Sequence, residues 1–127
     1  MEPIFTAENF SQNAKTFLAK VREKVQTPET WTQGAYARNK NEKKVPFGEK
    51  DCKYCLLGAI YLTQRGLMDE LGITRFHAEN YFTRHLLQKL TGFEEHPYTR
   101  AMNINDSFKN HDHFLSWFDN RVEEITV

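Results

Sequence analysis

Cys52 and Cys55 form a Cys-x-x-Cys pair, the spacing in this sequence with the most direct link to thiol chemistry. Near the start of a helix, the helix dipole can lower the pKa of such a thiol and produce a redox pair or a nucleophile. A thioredoxin-type pair follows a buried strand, whereas residues 48–51 are polar and turn-like. Both cysteines instead share a helical stripe with Leu56 and Ile60. We therefore expect them to be buried, reduced and unreactive.

A zinc site is a second use for these thiols, with His111 and His113 as the remaining ligands. Structural zinc modules usually separate their paired histidines by about three to five residues, but a single residue separates these two. On a helix the two imidazole rings would point about 200° apart. We predict no metal and no cofactor, and we interpret both histidines as solvated residues in the first turn of a helix.

The order of Cys55, His96 and an asparagine at 103 or 105 is that of the nucleophile, base and orienting amide of a papain-like protease. Such enzymes place the histidine on a sheet, and this sequence does not indicate one. His96 instead precedes Pro97 in a predicted turn. Because no complete catalytic set results, we favour a protein that is not an enzyme.

Polar and aromatic residues suited to recognition are grouped in two segments that show no helical period. The candidates for ligand or partner contacts are Trp31, Gln33, Arg38, Asn39, Asn105 and Asp106. Because loops on a helical scaffold often carry binding sites, these residues could line one pocket. The alternative, which we favour, is structural: Arg38 and Asp106 form an ion pair that fastens a hairpin to the last helix, and Asn105 bonds loop amides.

Basic side chains concentrate in residues 38–53, where Lys40, Lys43 and Lys44 lie between the aromatic residues Tyr36 and Phe47. This pattern could grip a phosphate backbone. The whole chain, however, carries 17 Lys and Arg against 17 Asp and Glu, so it has no wider basic face. We interpret the run as a solubilising surface and expect nucleic acid not to be a partner.

The composition is that of one small globular domain covering residues 1–127. Apolar residues make up 39% of the chain and include ten Phe, which is enough for one core. No stretch approaches the roughly 18 apolar residues of a membrane span, and the Met-Glu-Pro start does not resemble a signal peptide. We therefore expect a cytoplasmic protein with no membrane contact.

The apolar spacing predicts about four amphipathic helices. The first covers Thr6 to Val25, with Thr6 as its cap and Phe5 packed on Phe10. The second covers about 51–65 and ends at Gly66. The third covers about 74–90, and the last follows a cap at Asn110 and has Phe114 and Phe118 in its buried stripe.

Two segments between the helices lack a helical period. Residues 36–38 and 43–45 could pair as a short hairpin, because the asparagines between them tolerate turn conformations. Residues 93–109 are expected to be irregular, with a polar turn at 103–106. The predicted fold is mainly α, with about four amphipathic helices and one small β-hairpin.

Three segments together resemble a domain-of-unknown-function family of small bacterial and phage proteins. They are residues 31–39 (Trp-Thr-Gln-Gly-Ala-Tyr-Ala-Arg-Asn), residues 54–60 (Tyr-Cys-Leu-Leu-Gly-Ala-Ile) and residues 104–106 (Ile-Asn-Asp). The family pattern is Trp-x-Gln-Gly-x-x-Ala-Arg-Asp, then Trp-Cys-x-x-Gly-Ala, then Trp-Asn-Asp, so Asn39, Tyr54 and Ile104 depart from it. The resemblance implies a compact, mostly helical fold with a small hairpin and implies no established activity.

The sequence therefore predicts a non-catalytic protein-interaction or regulatory protein, of a kind carried by phages or mobile elements, whose partner is another protein. The alternative is a small enzyme or ligand-binding protein with a pocket between residues 31–39 and the Asn105-Asp106 turn. The pocket alternative requires the polar candidates to converge on a concave surface, whereas the interaction hypothesis allows them to be buried. The oligomeric state stays open.

Overall fold

The computed structural model describes residues 7–45 and 51–126, and within them the fold is mainly α with one small antiparallel sheet, as predicted. The described ranges contain five helices and two short strands. In chain order they are α1 (Ala7–Val25), β1 (Ala37–Arg38), β2 (Lys53–Tyr54), α2 (Leu56–Leu71), α3 (residues 75–91), α4 (Pro97–Ser107) and α5 (His111–Thr126). Helix α3 is α-helical at both ends and makes a π turn over Glu79–Thr83.

Helices α1, α2, α3 and α5 enclose the core. The predicted stripe of α1 is confirmed, because Phe17, Leu18 and Val21 are buried against neighbouring helices. In α5, Phe114 and Phe118 are fully buried, as their spacing predicted. The proposed cap at Thr6 and the contact from Phe5 lie outside the described residues.

The sheet differs from the predicted hairpin in its main partner. Residues 36–38 and 43–45 do approach each other, through a bridge between Arg38 and Lys44. The regular partner of β1 is β2, which pairs Ala37 with Tyr54 and Arg38 with Lys53. Residues 53–54 were expected to be helical. They are extended because the loop after α1 supplies hydrogen-bond partners for their backbone. The amide of Tyr54 donates to the carbonyl of Thr30, and the carbonyl of Tyr54 accepts from the amide of Thr32.

Helix α2 begins and ends later than predicted. Cys55 is its N-cap, so neither cysteine lies inside the helix. The helix continues past Gly66, where the prediction ended it, and stops at Gly72, whose φ of +65° is the left-handed conformation that favours glycine. A single glycine weakens a helix without ending it when packing continues on both sides, and here Leu67 still packs on the core.

Helix α4 corrects the prediction that residues 93–109 are irregular. Pro97 suits its first turn, since the missing amide hydrogen has no partner there in any helix. Ala101 and Asn105 are fully buried on its inner face, so tertiary contacts outweigh the preference of the asparagines for turns. The predicted cap of the next helix is confirmed, because Asn110 Oδ1 accepts a hydrogen bond from the amide of His113.

The part of the chain that the structure describes contains no helix that is both long enough and apolar enough to cross a membrane.

Candidate functional site

Asn105 is the centre of the polar cluster that the sequence pointed to. Its Oδ1 accepts hydrogen bonds from Trp31 Nε1 at 2.7 Å and from the amide of Leu56 at 3.0 Å. Its Nδ2 donates to the carbonyl of Thr32 at 3.1 Å and to Asp106 Oδ1 at 3.0 Å. A side-chain amide has two donor hydrogens and two acceptor lone pairs, so this fully buried residue has its whole capacity occupied within the protein.

Gln33 and Asp106 extend the same cluster. Gln33 Nε2 donates to the carbonyls of Asn105 at 3.0 Å and Phe108 at 2.8 Å, which satisfies acceptors at the end of α4. Asp106 Oδ1 accepts from the amide of Gly34 at 2.9 Å. These bonds fasten the loop of residues 31–34 to the last turn of α4.

Arg38 belongs to this cluster without pairing with Asp106. Its Nε and Nη2 each lie 3.3 Å from the carbonyl oxygen of Gln33, and its Nη1 donates to the carbonyl of Glu42 at 3.0 Å. Among the ion pairs of the described residues, none joins Arg38 to Asp106, so that prediction was wrong. The two side chains instead hold neighbouring peptide groups, the carbonyl of Gln33 and the amide of Gly34.

The structure thus brings Trp31, Gln33, Asn105 and Asp106 together, with Arg38 at the edge. Asn39 lies apart, in the hairpin turn, where its Oδ1 accepts from the amides of residues 41 and 43. A shallow cavity of about 280 Å³ lies beside the cluster. Its lining is Gly34, Ala35, Tyr36, Ala37, Lys44, Val45 and Met102, which includes none of the six candidates.

The cysteines are buried thiols, as the sequence predicted. Cys55 Sγ caps α2 by accepting a hydrogen bond from the amide of Gly58 at 3.3 Å. Burial raises the pKa of Cys55 to about 11, and this effect outweighs the hydrogen bond from Gly58. A thiol that stays protonated near neutral pH is a poor nucleophile and a poor metal ligand.

The histidines do not assemble around these thiols. His111 was expected to be solvated, but it is buried and its Nε2 lies 2.6 Å from the carbonyl oxygen of Val25. This contact joins the start of α5 to the end of α1. His113 and His96 are exposed. Within residues 7–45 and 51–126, no group of three potential metal-binding side chains comes together.

A second cavity, which the sequence analysis missed, lies between α2 and the start of α3 and measures about 310 Å³. Its lining is Tyr36, Tyr61, Gln64, Arg65, Met68 and Arg75. Behind it, Glu79 Oε2 accepts hydrogen bonds from Gln64 Nε2 at 3.1 Å and from Arg75 Nε at 2.8 Å. The sequence did not predict this cavity for two reasons. The predicted end of α2 at Gly66 separated Gln64 from Arg75, and nothing in the sequence indicated the π turn beside Glu79.

Tyrosine rings form one side of this second cavity. The rings of Tyr61 and Tyr98 are stacked with centroids 5.8 Å apart, and Tyr36 meets Tyr61 edge-on at 6.0 Å. Burial raises the pKa of both Tyr61 and Tyr98, and the negative charge of Glu79 adds to the rise at Tyr98. Their hydroxyls therefore stay protonated and can act as hydrogen-bond donors, not as bases.

Exposed aromatic residues occur at the start of α3. Phe76 is 71% exposed and Tyr81 is 56% exposed. The ring of Tyr81 lies 4.6 Å from that of His77, one turn away. Phe93, at the other end of α3, is 44% exposed, and the guanidinium of Arg100 lies over its ring. Phe76 and Tyr81 are therefore the most water-exposed large apolar side chains of the described residues.

The fold and these sites define a small, mainly helical protein with a buried polar cluster and a separate aromatic cavity. Residues 10–122 match a family of unknown function, DUF6197, and because the match covers most of the chain, the protein belongs to this family. The expected membership of a family without assigned function is thereby confirmed. No curated protein and no solved structure matches the chain.

Proposed function

We propose that this protein is a non-catalytic protein-interaction protein and that it contacts its partner through Phe76 and Tyr81 at the start of α3. The observation that carries the proposal is the exposure of these two large aromatic side chains on one short stretch of helix. Scattered apolar residues on a surface need no explanation. Aromatic residues are nevertheless enriched in protein interfaces, where a few of them provide most of the binding free energy.

The π turn supports the proposal because it changes the direction of Tyr81. In a regular α-helix, residues five positions apart point about 140° away from each other. The wider π turn over Glu79–Thr83 reduces the angle between Phe76 and Tyr81. A π turn interrupts the regular hydrogen bonding of a helix, and such turns are frequent at functional sites.

The polar cluster favours the interaction hypothesis over a pocket at the same place. Asn105 is saturated by internal hydrogen bonds, and Gln33 and Asp106 also bond within the protein. None of them lines the neighbouring cavity. The raised pKa of Cys55 also argues against a thiol nucleophile. We therefore assign Trp31, Gln33, Arg38, Asn105 and Asp106 a structural role.

The setting that we propose is the cytoplasm of a bacterial cell, with the gene carried by a phage or another mobile element and the protein acting as a regulator. The buried thiols of Cys52 and Cys55, which form no disulfide, suit a reducing compartment. The resemblance in residues 31–39, 54–60 and 104–106 supports the origin. Cell fractionation would test the compartment. Inspection of the neighbouring genes would test the origin, which predicts phage structural or regulatory genes beside this one.

Affinity capture from the organism that encodes the chain tests the interaction. The wild type is compared with a double variant, Phe76→Ser with Tyr81→Ser, and with Phe93→Ser as a matched control. Phe93 lies beyond the other end of α3, about 25 Å along the helix axis from Phe76. We expect one partner to be retained by the wild type and the control and lost by the double variant. Equal retention by all three proteins would contradict the proposed surface.

A further inference from the structure

A third cavity, of about 300 Å³, lies between α1 and α2. Leu62, Leu67 and Leu71 of α2 line it, and the protein itself buries each of these leucines only in part. The two hydroxyls in the lining, those of Thr16 and Thr63, already donate to backbone carbonyls of their own helices. The volume is at the lower end of the range for small-molecule sites. The cavity is therefore suited to the apolar part of a small ligand.

Gly66 leaves one wall of this cavity open. It lies inside α2 without a left-handed backbone conformation, and a Cβ atom there would meet no atom within 4 Å. Glycine is less favourable than alanine inside a helix, and no neighbouring atom of the described residues requires it here. Glycine also allows a ligand to approach the helix backbone closely. The space over Gly66 is therefore available to a ligand that packs on α2.

Lys20 and Lys24 line the same cavity from α1 and provide its positive charge. Lys24 Nζ donates to the carbonyl of Lys20 at 3.3 Å, which directs this ammonium group toward the preceding turn. Neither lysine takes part in an ion pair of the described residues. Burial lowers the pKa of Lys24, the charge of Glu23 partly offsets this effect, and the charge of Lys20 adds to it. A bound anion would stabilise both ammonium groups.

The carboxylate in the lining, that of Glu70, lies toward the other end of the cavity. The amide of Tyr54 donates to the carbonyl of Thr30, which holds the end of α1 near the start of α2. The two helices therefore run in opposite directions where they pack. Lys24 is in the last turn of α1 and Glu70 is in the last turn of α2, so the positive and negative ends of the cavity are separated.

We propose that this cavity binds a medium-chain fatty acid. The carboxylate pairs with Lys20 and Lys24, and the alkyl chain lies over Gly66 along α2. The lining from Leu62 to Leu71 covers about 13 Å of helix, which matches an extended chain of about ten carbon atoms. This inference goes beyond the protein-interaction proposal, which concerns the exposed aromatic residues of α3, so either can fail without the other.

Calorimetric titration of the purified full chain with decanoate tests the site. Decanoate should bind with a Kd below about 1 mM. Butanoate and the decyltrimethylammonium cation should each bind at least about tenfold more weakly, because one lacks most of the apolar chain and the other has the opposite charge. The absence of decanoate binding at millimolar concentration would overturn the proposal. Equal binding of either control compound would also overturn it, since the chain or the lysines would then contribute nothing.

Filling the cavity from α2 tests where the alkyl chain lies. Gly66→Leu should weaken decanoate at least about tenfold without lowering the melting temperature, because leucine is the better helix former and meets open space. Ala19→Leu is the matched control, since Ala19 is an exposed small residue of α1 outside the lining, and it should bind decanoate as the wild type does. Unchanged binding in Gly66→Leu, or a lower melting temperature, would contradict the assignment.

Removing the positive charge tests where the carboxylate lies. The double variant Lys20→Gln with Lys24→Gln should weaken decanoate at least about tenfold, because no cation then faces the ligand. Lys15→Gln is the control, since Lys15 is an exposed lysine of α1 outside the lining. Unchanged decanoate binding in the double variant, or an equal loss in Lys15→Gln, would contradict the role of the two lysines.

Discussion

Asn105 Oδ1 lies 2.7 Å from the indole nitrogen of Trp31, which is 74 residues earlier in the chain. The same oxygen accepts the amide of Leu56, the first residue of α2. One side chain therefore connects the loop after α1, the start of α2 and the end of α4. Trp31 in turn stacks on Phe114 of α5, with ring centroids 5.1 Å apart. The polar residues that looked most like a binding site hold the helices in place.

Replacement of Asn105 should destabilise the protein severely. Asn105→Ala leaves Trp31 Nε1, the amide of Leu56 and the carbonyl of Thr32 without their partner in a buried place. We expect a loss of at least about 3 kcal/mol in the free energy of unfolding, measured by denaturant titration. Asn103→Ala, at an exposed position of the same helix, should cost less than about 0.5 kcal/mol. Similar values for the two variants would contradict the role of Asn105.

Arg38 and Asp106 should act almost independently. Asp106→Ala should cost about 1–2 kcal/mol, because it removes the acceptor for the amide of Gly34 and for Asn105 Nδ2 at an exposed position. Arg38→Gln should cost a similar amount through the carbonyls of Gln33 and Glu42. In a double-mutant cycle the coupling energy should stay below about 0.5 kcal/mol. A coupling above about 1 kcal/mol would indicate a direct ion pair.

Two glycines of α2 should respond in opposite directions to the same change. A Cβ atom at Gly58 would overlap the carbonyl oxygen of Tyr36, whereas one at Gly66 would meet no atom within 4 Å. Gly58→Ala should therefore destabilise by at least about 2 kcal/mol, because backbone has to shift. Gly66→Ala should stabilise by about 0.5–1 kcal/mol through helix propensity. Thermal melts of the two variants measure both changes. A Gly58→Ala protein as stable as the wild type would contradict the close approach of Gly58 to the carbonyl oxygen of Tyr36.

The thiol of Cys55 should make stability fall at alkaline pH. Its pKa is raised from 9.0 to about 11, so the unfolded chain loses this proton first and stability declines as pH rises from 9 to 11. Below pH 9 the thiol is protonated in both the folded and the unfolded chain, so it should not make the free energy of unfolding depend on pH. Two pKa units correspond to at most about 3 kcal/mol.

Cys55→Ser is the matched control for the alkaline effect, since serine can still cap α2 and does not titrate in this range. The pH dependence of unfolding should be shallower in this variant; the raised pKa values of Tyr61 and Tyr98 and the lowered pKa of Lys24, which acts in the opposite direction, contribute to what is left. Rapid labelling of Cys55 in the folded wild type at pH 8 would contradict the raised pKa.

Regular apolar spacing made the first and last helices of the chain predictable. Helix α1 and helix α5 bury Phe17 and Phe118 as their spacing indicated, because each presents one stripe to the core. Helix α4 was not predictable in the same way, since its helical state depends on the tertiary bonds of Asn105. Strand β2 depends in a similar manner on the loop at Thr30.

The site was only partly accessible from the sequence. Trp31, Gln33 and Asn105 were correctly grouped, because their types and positions in two irregular segments suggested a shared place. That their side chains hydrogen-bond within the protein depends on interatomic distances, which the sequence does not contain. The cavity at Gln64 depends on helix α2 passing Gly66 and on the π turn at Glu79, and neither has a sequence signal.

Site-specific photo-cross-linking in cells tests the protein-interaction proposal most directly. A photoreactive amino acid replaces Phe76 in one experiment and Phe93 in a parallel one, because both side chains are exposed and lie at opposite ends of α3. We predict that irradiation gives one discrete adduct with another protein from position 76 and none from position 93. Adducts of equal yield from both positions, or none from position 76 under conditions where the protein is folded, would contradict the proposed surface.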